Sequence, residues 1–192
     1  MGNELKRTKL GEWLFNSVNK VSLYIAYHKV LFYILSYTWG LITTLFGWIV
    51  YLFLRIFFKN KIQLKGKFFT ARYIMLFDEW GGLELGTNFI LAGNMGKYFT
   101  EHTKCHELGH TYQNAALGPF AIIFIFIPSV IQYWIQRLRK DQSKNKPYDL
   151  IWFEGSATYI GETLLSNLEH KDYHYYNEQY QFNNNYGANI WI

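Results

Sequence analysis

A single uncharged stretch limits what this chain can fold into. Residues 30–54 run for 25 positions without an Asp, Glu, Lys or Arg. As an α-helix the stretch would be about 37 Å long, enough to cross ~30 Å of hydrocarbon with some tilt. A chain of 192 residues has no core large enough to surround such a helix. We therefore predict one transmembrane helix over residues 30–56.

The composition is consistent with a membrane anchor joined to a folded domain. Aromatic residues make up 20% of the chain, which excludes disorder, and charged residues only 17%. The mean hydropathy of −0.09 is too low for several membrane spans. The net charge of +5 suits an anionic lipid surface or nucleic acid. Because the basic residues lie beside the apolar segments, we expect membrane lipid as a partner and no nucleic acid.

The distribution of basic residues predicts an orientation. Of the 19 Lys and Arg residues, five precede the predicted span and 14 follow it. The positive-inside tendency then makes the chain a single-pass membrane protein with its C-terminal, catalytic part in the cytoplasm. The basic N-terminus opposes this placement, because it would have to cross the bilayer.

The residues before and within the span suggest further contacts. Residues 1–29 carry apolar side chains at helical spacing between basic ones, which predicts an amphipathic helix. Such a helix either lies on a bilayer or packs on the rest of the protein, and both remain open. Small residues four positions apart, Gly40 with Thr44 and Thr43 with Gly47, favour close approach of a second helix. This spacing predicts a helix-mediated homo-oligomer.

Residues 57–172 are predicted to form a small, mainly helical α+β domain. Residues 68–77 and 83–91 have strand-like composition on either side of Trp80-Gly81-Gly82. This pattern predicts a small β-hairpin or antiparallel sheet. The second of these strands is also a candidate to pair with an extended substrate.

Two helices are predicted in the same domain. One begins between Thr100 and Thr103, either of which can cap it, and ends at Gly118-Pro119. The other covers residues 150–168. Residues 173–192 form a Tyr/Asn-rich tail in which no chemistry is evident.

The first helix contains the motif His106-Glu107-Leu108-Gly109-His110. Positions i and i+4 share one face of a helix, so both imidazoles can reach one metal ion. Glu107 lies beside them and can take a proton from a metal-bound water. Gly109 costs the helix ~1 kcal/mol relative to Ala, which indicates that another element crosses closely at that point.

A catalytic zinc usually has three protein ligands and one open position, so a third ligand is needed. Glu154 is the best candidate, because it begins the second helix beside small residues that allow close packing. Those residues are Gly155, Ser156, Ala157 and Gly161. The alternative is that Glu154 only favours a helix N-terminus through the macrodipole. His102 is a poor rival, because the outer pair of the 102/106/110 stripe is ~12 Å apart along one axis.

Other residues are candidates to stabilise an oxyanion. Tyr159 and Tyr148 lie near the second helix, and His170 and His174 form another i, i+4 pair. For the two histidines, the interpretation as polar surface residues is favoured. Cys105 is interpreted as a buried, unreactive thiol.

Several motifs together resemble a known family. They are Trp80-Gly81-Gly82, Leu85-Gly86, His106 to Thr111, Gln113-Asn114, Leu117-Gly118-Pro119, Pro128-Ser129 and Trp152-Phe153-Glu154-Gly155 with Ala157. The HExxH followed by ExxA resembles the gluzincin pattern. More closely, residues 78–162 resemble uncharacterised bacterial membrane-associated zinc metallopeptidases.

This resemblance implies a zincin-like domain with Zn²⁺ as cofactor. It implies zinc ligation by His106, His110 and Glu154, with Glu107 as general base, but no particular substrate. Thr158 stands where many gluzincins have an Asp that supports a histidine ligand. Asp149 and Glu162 are candidates to replace that carboxylate.

A second uncharged run, residues 117–135, sets a topological condition. If it crossed the bilayer, His110 and Glu154 would lie on opposite sides, because the charged residues 136–153 cannot cross back. We therefore predict an interfacial or re-entrant segment, broken at Pro128. The metal site would then lie close to the membrane surface.

These features favour a membrane-anchored zinc metallopeptidase that hydrolyses peptide bonds in a peptide or protein substrate. The alternative is a non-catalytic membrane scaffold or interaction protein. In that case a structural metal or a buried polar cluster would only fix two helices together.

Overall fold

The computed structural model describes residues 7–138 and 150–169. Within them the chain is mainly helical with a small sheet, which confirms the α+β class. The helices are α1 (Lys9–Tyr27), α2 (Lys29–Tyr37), α3 (Leu41–Phe57), α4 (Lys97–Leu117), α5 (Ile127–Leu138) and α6 (Trp152–Glu169). The strands are β1 (Ile62–Phe68), β2 (Ala71–Leu76), β3 (Gly82–Leu85) and β4 (Asn88–Ala92). A 3₁₀ turn (Lys59–Lys61) precedes β1, and a π-helical turn (Ile122–Phe126) precedes α5.

The sheet has the order β1-β2-β4-β3 and is mixed. β1 pairs with β2 and β3 with β4 in antiparallel hairpins, whereas β2 and β4 are parallel. The predicted hairpin between residues 68–77 and 83–91 is therefore wrong. The second of these segments holds a turn at Gly86, whose φ of +69° is the left-handed conformation that glycine favours. It forms two strands, and the later one pairs in parallel with β2.

Helix α4 carries the HExxH motif through the centre of the protein. α1 and α6 pack against it, and so do β3 and β4. Leu108 and Tyr112 are fully buried in this core, with the Phe32 ring 5.0 Å from that of Tyr112. The Tyr112 hydroxyl shares a 2.7 Å hydrogen bond with Thr70, and burial raises its pKa. α4 begins three residues before Thr100, and ends, as predicted, at Gly118.

The predicted continuous helix over residues 30–56 is wrong, because the uncharged stretch is broken into α2 and α3 with a bend of 87°. The Thr38 hydroxyl donates to the Ile34 carbonyl at 2.7 Å, and the Gly40 N–H donates to the Leu35 carbonyl at 2.8 Å. These bonds end α2. Among the described residues no single helix is both long and apolar enough to span a membrane; the bent pair qualifies by length and composition alone.

The small residues of α3 are used inside the chain. A Cβ on Gly47 would collide with the backbone of Leu85, and a Cβ on Gly86 would collide with that of Thr44. The element that approaches α3 closely is therefore the β3–β4 hairpin rather than a second helix. The helix-mediated homo-oligomer stays a prediction that this face does not support.

The second uncharged run contains an irregular turn, and its interfacial or re-entrant placement stays a prediction. Its π-helical turn, Ile122–Phe126, lies just before Pro128, and the chain then continues as α5. Proline has no N–H and cannot continue the regular helical ladder, which explains a wide turn there. The helix is not broken at Pro128 itself.

Helix α1 shows that the N-terminal segment packs on the rest of the protein. The Thr8 hydroxyl accepts from the Gly11 N–H at 3.1 Å and caps the helix. Ser156 of α6 donates to Asn19 of α1 at 2.7 Å, and both residues are buried. The predicted tail, residues 173–192, lies outside the described residues.

Candidate metal centre

Three buried side chains meet at one point between α4 and α6. The Nε2 atoms of His106 and His110 are 3.0 Å apart. Oε2 of Glu154 lies 3.0 Å from the first and 3.1 Å from the second. All three residues are less than a tenth exposed. The structure thus brings together the three predicted ligands.

Hydrogen bonds on the far side of each imidazole fix its orientation. His106 Nδ1 shares a 2.8 Å hydrogen bond with the Thr158 hydroxyl, and His110 Nδ1 donates to Gln113 Oε1 at 2.7 Å. The Gln113 amide in turn donates to the Phe153 carbonyl at 2.8 Å, which settles which end of the amide faces His110. Both Nε2 atoms therefore point toward Glu154. Thr158 itself supports His106, for which the sequence predicts a carboxylate partner.

The three atoms form a suitable donor set for a cation. Nitrogen and oxygen ligands of zinc lie ~2.0–2.2 Å from the ion, and three donors 3.0–3.1 Å apart can all reach one ion at such lengths. The other oxygen of Glu154 is buried without a hydrogen-bond partner among the described residues. A buried carboxylate beside two imidazoles requires a positive charge. The group can hold a metal ion.

Without a metal, a proton supplies that charge. Burial opposes the charged form of His110, but the hydrogen bond and the charge of Glu154 outweigh it and raise the pKa of His110 to about 9. Burial likewise opposes ionisation of Glu154, yet the hydrogen bonds from both histidines hold its pKa far below the usual range. At neutral pH a metal must therefore displace a proton from His110.

We expect metal affinity to depend on pH for this reason. Between pH 7 and about 9, zinc affinity should rise about tenfold per pH unit, because binding displaces one proton from His110. Above about pH 9 the affinity should level off, since no proton remains to be displaced. In the metal-free protein the raised pKa stabilises the fold below 6.5, and this stabilisation is lost as pH rises through about 9. Competition with a chelator of known affinity measures the first effect, and thermal unfolding the second. An affinity that is flat from pH 7 to 9 would contradict the assignment.

Two glycines explain how α4 and α6 come close enough. A Cβ on Gly109 would overlap the backbone of Ala157, and a Cβ on Gly161 would overlap that of Cys105. The helices therefore touch backbone to backbone at two levels. The prediction that an element crosses closely at Gly109 is confirmed, and the crossing element is the helix that carries Glu154.

Glu107 lies between the metal centre and strand β3. A Cβ on Gly82 would collide with its carboxylate, and the backbone N–H of Glu84 donates to it. Burial raises the pKa of Glu107, although the nearby imidazoles of His106 and His110 oppose the shift. Its carboxylate is thus held against the sheet edge with an increased affinity for a proton.

The sequence reasoning missed Glu84. This half-buried carboxylate accepts from Asn114 at 3.0 Å, and Asn114 accepts from the Thr43 hydroxyl of α3 at 2.8 Å. Burial raises the pKa of Glu84 to about 7, against the hydrogen bond from Asn114. The available signal was Gly81-Gly82, since glycines just before a strand often mark the close approach of another group.

A cavity of about 760 Å³ leads to this centre. His106, His110, Glu107, Glu84 and Glu154 contribute polar atoms to its wall. The remaining wall is largely apolar and comes from α3, the β3 segment, α4, the π-helical turn and α5. The centre is therefore buried in the protein yet accessible from one side.

The other predicted candidates lie elsewhere. Tyr159 is exposed and its ring lies 5.7 Å from that of Phe15 on α1, so it does not face the centre. Glu162 is buried on α6 and does not belong to the cavity wall that the described residues form. His102 does line the cavity, with its ring stacked 5.9 Å from that of His106. Outside the described residues are Tyr148, Asp149, His170 and His174.

Comparison with known proteins adds no further constraint. No family profile, curated protein or solved structure matches the chain. The resemblance to membrane-associated metallopeptidases therefore stays a prediction. The function has to follow from the geometry of the centre.

Proposed function

We propose that this protein is a zinc-dependent peptidase that acts at a membrane. The observation that carries the proposal is the set of three buried ligand atoms, 3.0–3.1 Å apart, with Glu107 beside them at the end of a cavity. Two imidazoles and one carboxylate are a donor set typical of catalytic zinc. Three protein ligands leave one position for water or substrate, whereas structural zinc sites are closed by four.

The residues around the centre have distinct roles in this proposal. A bound zinc supplies Lewis acidity and lowers the pKa of water to about 7. Glu107 takes a proton from the attacking water and returns it to the leaving amine. Burial raises the pKa of Glu107, which favours proton uptake, and the Glu84 N–H keeps its carboxylate in position. Thr158 and Gln113 hold the two imidazoles in the orientation that leaves Nε2 available.

The sheet edge supports a peptide as the substrate. The Ala92 N–H donates to the Gly81 carbonyl at 2.7 Å, so along β3 the alternate residues Gly82 and Glu84 turn their backbone groups away from β4. Both residues line the cavity. The Glu84 N–H already donates to Glu107. The Gly82 backbone groups and the Glu84 carbonyl can pair with an extended peptide added as a further strand, which places its backbone beside Glu107.

Metal content tests the ligand assignment. The purified chain is expected to retain one zinc per molecule after dialysis. Glu154→Gln should lower zinc affinity by at least about a hundredfold, because the amide removes the negative charge from the centre. Tyr159→Phe, on the exposed face of the same helix, is the matched control and should retain zinc. Elemental analysis of both variants decides; zinc retained equally by both would refute the site.

A further inference from the structure

Part of the surface of this protein consists of large apolar side chains, whose exposure to water is unfavourable. Helix α3 and the segment from the π-helical turn through α5 each expose several large apolar side chains. We call these side chains the apolar belt; they include Ile42, Phe46, Ile49, Phe53, Ile131 and Trp134. Large exposed apolar surfaces mark sites that contact a membrane or another protein.

Part of the belt lines the cavity. Ile42 and Phe46 on α3 are exposed and also line the cavity. Val130 and Trp134 on α5 are likewise exposed and line it as well. The other end of the same cavity reaches His106 and Glu107. A substrate that enters between α3 and α5 therefore passes through the belt.

The charges near the belt indicate what covers it. Arg55, Lys59 and Lys61 are exposed at the end of α3, and Arg137 is exposed near the end of α5. Residues 30–77 and 117–138 contain no Asp or Glu. A second copy of the chain would bring the same positive charges to the interface. Anionic lipid headgroups complement them, and lipid tails complement the apolar side chains.

Helix α3 is also fixed to the rest of the protein along one face. Thr43 donates to Asn114 of α4, and Gly47 touches the backbone of Leu85. The helix has 17 residues, about 25 Å, which is shorter than the ~30 Å hydrocarbon core. Its geometry suits a helix that lies in the bilayer interface with the domain behind it.

We propose that an anionic lipid bilayer covers the apolar belt, and that the cavity takes an apolar peptide segment directly from that bilayer through the entrance between α3 and α5. The docking part is independent of any catalysis. The substrate class rests on the proposed peptidase function, because only a peptidase would act on the segment.

Vesicle binding tests the docking. The full chain with Glu107→Gln, stripped of metal, should bind vesicles of phosphatidylcholine and phosphatidylglycerol. The double substitution Ile49→Glu/Phe53→Glu should lower partitioning at least about tenfold, since both side chains belong to the belt but not to the cavity wall. Leu64→Glu is the matched control: it is 49% exposed, against 57% and 48% for the belt pair. It lies on β1, at the sheet edge opposite β3.

The outcomes separate lipid from other occupants. Retained secondary structure by circular dichroism shows that each variant is folded. Arg55→Glu/Lys59→Glu should weaken binding to the anionic vesicles and leave binding to pure phosphatidylcholine nearly unchanged. Equal losses for the belt pair and Leu64→Glu would overturn the proposal. So would a belt pair that binds vesicles normally but dissociates a dimer in sedimentation, because a second copy would then cover the belt.

Photo-crosslinking tests the substrate class without hydrolysis. A benzophenone amino acid at position 46 or 134 of the Glu107→Gln chain should crosslink to an apolar model peptide of about 20 residues inserted in the vesicles. The same group at position 64 should not. Crosslinks at the entrance without peptide cleavage by the unsubstituted chain would reject the peptidase and keep the entry route. Cleavage of soluble peptides only, without such crosslinks, would reject the entry route and keep the peptidase.

Discussion

Glu107→Gln is expected to abolish peptide hydrolysis and leave zinc in place. The amide has the shape of the carboxylate and can still accept the Glu84 N–H, but it cannot take a proton at neutral pH. Loss of a general base typically lowers the rate by about 10²–10⁴-fold. The three atoms that could hold the metal belong to other residues, so the metal content should not change.

The measurement compares kcat/KM for a fluorogenic peptide with zinc content in the same preparation. Glu101→Gln is the matched control, because Glu101 is on the same helix and pairs with Lys104 at 3.1 Å near the surface. That variant should keep activity within about twofold, since such pairs contribute little. If Glu107→Gln stays active, Glu107 is not the base. If neither the original chain nor the Glu107→Gln variant cleaves any peptide while both hold zinc, the metal is structural. The non-catalytic scaffold function would then be the better explanation.

Gly109→Ala is expected to be strongly destabilising, although alanine favours a helix by ~1 kcal/mol over glycine. The new Cβ would overlap the backbone of Ala157, and a backbone cannot move aside as a flexible side chain can. The helices must separate, at a cost of about 3 kcal/mol or more in unfolding free energy. The separation also moves Glu154 and Thr158 away from the histidines, so zinc affinity should fall together with stability.

Denaturant unfolding of the metal-free chain measures the first effect, and zinc titration the second. Gly40→Ala is the control, because the nearest atoms to its Cβ would be 3.5 Å away, an ordinary contact. We expect that variant to remain within about 1 kcal/mol of the original chain. A Gly109→Ala chain as stable as the original would mean that α4 and α6 do not touch in the way described.

The parts of this structure that were predictable from sequence are those coded by local spacing. The i, i+4 histidines, the stop at Gly118 and the helix that begins near Glu154 each follow from a short pattern. Gly109 was informative as well, because an unfavourable residue within a helix needs a reason from outside it. The three ligands and the crossing of their helices could therefore be inferred together.

The sheet and the apolar stretch were less predictable because their structure depends on distant contacts. Parallel pairing of β2 with β4 leaves no short signal, and Gly86 looks like any strand glycine until its turn is seen. Residues 30–54 have the composition of a span, yet α2 and α3 take different directions because Phe32 packs on α4 and Gly47 on β3. Glu84 has no fixed spacing to the motif, so only the fold brings it there.

The backbone contact between α4 and α6 has a consequence for metal choice. At Gly109 and Gly161 no side chain separates the two helices, so no rotamer change can widen or narrow the gap. The contact between the two main chains therefore fixes the distances between the ligand residues His106, His110 and Glu154. An ion such as Ca²⁺, with bonds of about 2.3–2.6 Å and six to eight oxygen ligands, would need a wider and more flexible cage. We therefore expect the close contact at Gly109 and Gly161 to disfavour ions that need longer bonds and more ligands.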